Sequence, residues 1–224
     1  MKSIGLILTL VVLAAGAYAS GGAYLDDFRI TNNGVTALFD NFDDGKLDGW
    51  TQLNDITVTC NRPNEPPCGM CINKHTYAEA TASHNLALRN AGIIEFQAKV
   101  YLTAPEEQYD WQVKKLPAVI RITIFAGTTS ATMRTTLYLE PGQQQAKACI
   151  STDRVGNGQC PKYNPLAKYR WGTWYLRMDP KTRTATTSLD GREEISISYN
   201  PNLWRSVRMV SIESSYGDGS RRTD

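Results

Sequence analysis

Tyr24-Leu25-Asp26-Asp27-Phe28-Arg29-Ile30 is the stretch on which the fold turns. Aromatic and β-branched residues alternate with charged ones at period two, which predicts a short β-strand. The alternation places Tyr24, Asp26, Phe28 and Ile30 on one face and Leu25, Asp27 and Arg29 on the other. Asn32-Asn33-Gly34 follows at once, and Asn-Gly between alternating runs is the strongest short hairpin signal.

Upstream, Met1 to Ala19 carries Lys2, an apolar run from Ile4 to Ala17 and the small-x-small ending Ala17-Tyr18-Ala19. These are the marks of a secretory signal peptide, residues 1–19, to be removed on export. As a membrane anchor the run is short of the ~20 apolar residues a span needs and has no basic stop-transfer flank. The expected product is extracellular or at the cell surface, with no membrane span after signal removal. Residues 20–34 are then an N-terminal strand and turn, and 35–224 a single β-domain.

Downstream, the apolar segments have strand length and are cut by Gly, Pro, Asn and Asp. Ile94, Phe96, Ala98 and Val100 alternate with Glu95, Gln97 and Lys99. Ala118 to Phe125, Thr132 to Leu139, Gln144 to Ile150, Trp174 to Met178, Thr184 to Leu189 and Val207 to Ile212 continue the set, with Asp190-Gly191 as a turn. Many strands, almost no helical period and closely spaced turns predict an all-β, two-sheet antiparallel sandwich. With 42% hydrophobic and 21% charged residues and a formal net charge of +2, nothing points to a nucleic-acid surface, where Lys and Arg cluster.

Phe39-Asp40-Asn41-Phe42-Asp43-Asp44-Gly45-Lys46-Leu47-Asp48-Gly49-Trp50 resembles the opening of concanavalin-A-like (laminin-G-like) jelly rolls of secreted microbial proteins. Gly172 to Met178 and Ala185 to Gly191 resemble their later strands. In that family an aromatic-x-Asp-Asp-x-Arg-x strand closes the chain beside the first strand. Here that pattern stands at the N-terminus instead. Two arrangements follow from the resemblance. Either the strand folds back in cis, making a circular permutant, or it enters the vacant slot of the next subunit. In the second, Tyr24, Leu25, Phe28 and Ile30 form an assembly strand, as in donor-strand complementation. Head-to-tail repetition then yields a homopolymer, a filament or tube, similar to cannula-like extracellular subunits. Donation is the expectation carried forward.

The resemblance also implies structural Ca²⁺. Asp26, Asp27, Asp40, Asp43, Asp44 and Asp218 converge if the strand packs where the family places it, and Ca²⁺ takes six to eight hard oxygens. Asp27, Asp40 and Asp43 lead that set; the competing reading makes these residues turn formers and solvated charges.

Exported cysteines are expected to be oxidised. Cys149 and Cys160 bracket one loop and form an easy pair. Cys60 pairs with Cys68 or Cys71, leaving one odd thiol. A Cys60, Cys68, Cys71, His75 zinc site also fits the spacing.

No Gly-x-Ser-x-Gly or His-Glu-x-x-His motif is present. The Glu-x-Asp-x-x-Glu of the related glucanases has no counterpart, and Glu106-Glu107 and Glu193-Glu194 read as solvated loop pairs. An enzyme is not expected. The competing function is a monomeric, lectin-like carbohydrate-binding module that engages a polysaccharide. Trp111, Trp171, Trp204, Tyr169 and Tyr163 lie in or beside loops where they would stack on sugar faces.

Overall fold

The computed structural model describes residues 23–53, 56–59, 68–72, 80–102, 118–139, 145–152, 158–161, 166–167 and 170–216. Among them are β1 (Ala23–Asn32), β2 (Val35–Asp40), β3 (Trp50–Leu53), β4 (Ile56–Thr59), β5 (Gly69–Ile72), β6 (Ala80–Arg89), β7 (Ile94–Leu102) and β8 (Ala118–Ala126). The chain continues through β9 (Thr132–Leu139), β10 (Gln145–Thr152), β11 (Leu166–Ala167), β12 (Trp171–Asp179), β13 (Thr184–Leu189), β14 (Arg192–Ser198) and β15 (Ser206–Tyr216). One sheet has the order β14-β13-β12-β7-β1-β5-β4, with β2 also paired to β1. The other runs β11-β10-β9-β8-β15-β6-β3. All named pairings are antiparallel, as the short turns and two-fold periodicity require.

The core lies between the sheets and follows the alternation. In β7, Ile94, Phe96, Ala98 and Val100 face inward while Gln97 is exposed. Phe28 meets Trp50 and Phe96 at ring-centroid distances of 5.2 and 5.1 Å. Trp174 donates its indole N–H to Thr135 Oγ1 at 2.9 Å, Thr135 shares a 2.7 Å hydrogen bond with Thr187, and Thr187 donates to the Tyr175 carbonyl at 2.8 Å. That chain joins the two sheets while satisfying every hydroxyl it buries, which is the condition for a polar group in a core.

β1 overturns two expectations. First, it does not leave the molecule. It pairs with β7 from Ala23 to Asn32, with β5 through Leu25 and with β2 from Phe28 onward, Ile30 lying opposite Leu38. The reason is the turn: Asn33 and Gly34 have φ of +51° and +78°, and a two-residue turn of that hand returns the chain directly alongside itself. The assembly strand of Tyr24, Leu25, Phe28 and Ile30 therefore closes its own sandwich. Second, its two faces are not those of strict alternation. Asp26 lies opposite Lys99 and Arg29 opposite Gln97, so three steps on β1 match two on β7. This bulge, with Asp27 at φ +47°, shifts the phase. Leu25, Phe28 and Ile30 consequently all face the core, each 0% exposed.

The hairpin tip is also fastened. Asn33 donates its backbone N–H to the Ile93 carbonyl at 2.8 Å, and its side-chain oxygen accepts from the Ile93 N–H at 2.9 Å. Asn32 accepts from the Gly92 N–H at 2.9 Å. A Cβ at Gly92 would push aside the Asn33 side chain that makes this contact.

Candidate functional site

A groove of ≈ 640 Å³ opens at one end of the sandwich. Three connections build it: the start of β9 at Ala131 and Thr132, the β12–β13 turn at Pro180 and Arg183, and the segment from Ser198 to Trp204 that leads from β14 into β15. Arg183 has φ +58° and its carbonyl accepts from the Tyr199 N–H at 3.0 Å, which ties the second connection to the third. Asn200 accepts from the Asn202 N–H at 3.1 Å and caps a single 3-10 turn, Pro201–Trp204, with Pro in its first positions. Thr129 donates to the Leu203 carbonyl at 3.1 Å and holds that turn against the β8–β9 corner.

The lining mixes amides, hydroxyls, one guanidinium and an aromatic pair. Tyr199 and Trp204 pack edge to face at 6.5 Å. Burial, and next the negative charge of Asp179, push the Tyr199 phenol up to about 12, so it is a neutral O–H donor at physiological pH. Thr132 is buried and its Oγ1 has no hydrogen-bond partner. Neutral donors and acceptors beside an aromatic edge suit a polyhydroxylated ligand.

The residues singled out from the sequence are distributed otherwise. Trp204 is 5% exposed and supports the groove from below, so it is no stacking platform. Trp171 stands half-buried on β12 against Tyr101, at 5.5 Å. Trp111, Tyr163 and Tyr169 lie outside the described residues. Tyr199, Arg183, Asn200 and Asn202 were not anticipated; the Asn200-Pro201 dipeptide is the turn signal that marks them.

The described acidic residues of the expected set are engaged separately. Asp27 pairs with Lys99 at 3.1 Å. Asp40 accepts from the Phe42 N–H and from the Trp50 indole at 2.8 and 2.9 Å. Asp43 accepts from Asn41 at 2.7 Å, and Asp44 from the Lys46 N–H at 3.0 Å. Asp26 is buried in β1, and Asp218 lies outside the described residues. Among the described residues no group of three or more His, Cys, Asp or Glu is placed to hold a metal ion. Asp40 and Asp44 thus act as turn formers that take a backbone N–H two residues on, while Asp43 takes the Asn41 side chain and Asp27 an ion pair.

Cys149 and Cys160 form a disulfide with Cα atoms 4.3 Å apart. Cys68 is buried and also disulfide-bonded, so it supplies no thiolate for zinc. Cys60, His75 and the side chain of Cys71 lie outside the described residues. Glu194 is exposed on β14 rather than in a loop, and Glu106-Glu107 falls outside the described residues.

No protein-family model matches this chain, and no curated protein matches it in sequence. Solved structures do resemble it. Winged bean acidic lectin, complexed with methyl-α-D-galactose, is 8% identical with a TM-score of 0.50, over 88% of this chain and 91% of that one. Lectin II from Ulex europaeus is 7% identical with a TM-score of 0.49, over the same shares of 88% and 91%. A β-glucanase of Bacillus licheniformis is 10% identical with a TM-score of 0.42, over 89% and 87%. The chain has the concanavalin-A-like jelly-roll fold.

Proposed function

We propose that this chain is an exported, non-catalytic carbohydrate-binding module of lectin type that takes a neutral saccharide in the groove above Trp204. One observation carries the reading: amides, hydroxyls and Arg183 ring an aromatic edge in a groove large enough for a small sugar. Closure of the sandwich by β1 in cis supports a monomer. The lectin-like fold gives the reading its context, and a galactoside such as that of the winged bean lectin is the neutral ligand to try first.

The test is calorimetric titration of the mature protein with a panel of neutral mono- and oligosaccharides. Binding is expected for at least one, with Tyr199→Phe weakening it about tenfold through loss of one hydrogen bond, ~1.4 kcal/mol. A protein that binds no member of the panel, or variants Tyr199→Phe and Asn202→Ala that bind as the parent does, would overturn the proposal. Chromatography of the bound oligosaccharide should return it intact; shortened products would make the chain an enzyme.

A further inference from the structure

The connections around the groove carry charge of one sign. Residues 127–131, 180–183 and 199–205 include Lys181, Arg183 and Arg205 but no Asp or Glu. Three positive charges in these short segments exceed the formal net charge of +2 on the whole chain. Arg183 lines the groove, Lys181 follows Pro180, which also lines it, and Arg205 directly follows Trp204. All three residues are exposed, and none makes an ion pair among the described residues. Asp179, at the end of β12, is already held by Arg177 at 3.2 Å and by the Lys181 N–H at 2.9 Å.

The backbone at each flank is anchored. The Arg183 carbonyl accepts from the Tyr199 N–H at 3.0 Å, and the Arg205 carbonyl from the Ala91 N–H at 2.9 Å. Arg205 also closes the 3-10 turn that Asn200 opens. The fold therefore holds three solvent-exposed cations around one mouth, where they repel one another and gain nothing in the free chain. Charge of one sign around a concave opening focuses the field there and draws in groups of the opposite sign. The exposed large hydrophobics among the described residues, Val35 and Phe39, lie on β2 rather than on these connections. The rim thus offers charge without the apolar side chains that insert into a bilayer.

We propose that the partner of this end of the molecule is an acidic glycan: one neutral sugar residue enters the groove, and the anionic groups of adjoining residues rest on Lys181, Arg183 and Arg205. The inference rests on the saccharide reading of the groove and extends it to the residues outside. A guanidinium fork takes two oxygens of a sulfate ester or a carboxylate alike, and an ammonium takes either as a point charge. The glycan supplies the negative charge that the three connections lack.

The experiment titrates the full mature chain with a galactan oligosaccharide and with the same oligosaccharide after chemical sulfation. At low salt the sulfated form is expected to bind about tenfold more tightly, and that advantage should shrink as salt rises. A variant with Lys181→Gln and Arg205→Gln should lose most of the advantage while binding the neutral form as the parent does. Both positions are exposed, so its thermal transition should match the parent's. A variant with Arg170→Gln and Arg192→Gln removes as much charge from the end where β12 begins, away from the groove, and should keep the advantage in full. Equal affinity for the two forms, an advantage that survives in the first variant, or one lost in the second would each overturn the proposal. So would vesicles of anionic phospholipid that bind the protein as tightly as the sulfated oligosaccharide does. Tyr199→Phe should weaken both forms by the same factor. That common factor reports the groove and the ratio of the two forms reports the rim, so each fails by its own measurement.

Discussion

The outer faces of the two sheets invite comparison. On the eight-stranded sheet Glu95 accepts hydrogen bonds from Tyr175 at 2.8 Å, Arg177 at 2.6 Å and Thr31 at 3.3 Å. Arg177 reaches on to Asp179 at 3.2 Å. Cation, phenol and carboxylates there satisfy one another across β1, β7 and β12. On the seven-stranded sheet, Arg134 on β9 stands between Thr123 and Ser151, with no carboxylate in register beside it. The difference separates charges used to hold strands in register from charges left available. A guanidinium already held by carboxylates offers a ligand little, whereas an unpartnered one gains whatever it binds.

The comparison presumes an intact sandwich, and the largest effect comes from removing the inner strand β1. Deleting residues 20–31 takes away Leu25, Phe28 and Ile30, each fully buried. At roughly 2–5 kcal/mol per side chain, against a typical total of about 5–15 kcal/mol, the shortened chain should show no cooperative thermal transition by circular dichroism. A shortened chain that melts like the parent would deny β1 its place in the sheet.

A smaller contrast tests the faces directly. Glu95→Ala strands Tyr175 and Arg177, and after allowance for solvent screening should cost about 1–2 kcal/mol in urea denaturation. Arg134→Met removes a cation that holds nothing together, and should change stability by no more than ~0.5 kcal/mol in either direction. Equal losses in the two variants would show that the faces do not differ as described.

The smallest effect is read in alkali. Burial and then Asp179 raise Tyr199 from its ordinary 10.0 to about 12. Its folded value lies above its unfolded one, so its contribution is complete below pH 10 and is lost as pH rises from 10 to about 12. Tyr175 is raised as well, first by burial and then by its hydrogen bond to Glu95. An absorbance titration should show late-ionising phenols in the folded protein, and in Glu95→Ala the Tyr175 share should move to lower pH. A Tyr175 titration unmoved in that variant would mean that burial alone sets it.

Much of the architecture could be read from particular residues. The alternation from Ile94 to Val100, the Asn33-Gly34 turn and the Asp190-Gly191 turn, with φ of +51° and +64°, all lie where periodicity and turn chemistry put them. The bulge at Asp27 could not be read, because one extra residue leaves no compositional mark. Nor could the first half of β6: it meets the core through Ala82 and a half-buried His84, a weak apolar signal in Thr81-Ala82-Ser83-His84-Asn85, whereas Leu86 and Leu88 farther along mark the second half. The expected donation of β1 set the local hairpin signal against family order, and the local signal describes the chain. The site was less legible still. Residues 131, 183 and 199–204 meet only through the fold, and no spacing along the chain announces the groove they line.

The seating of β1 also has a mechanical consequence. A pull applied at Ala23 runs along the strand, while the hydrogen bonds to β7 lie across it. Those bonds share the load and yield together instead of unzipping one by one, and the Asn32 and Asn33 contacts to Gly92 and Ile93 anchor the far end. A molecule pulled from this end should therefore resist having its sandwich drawn open.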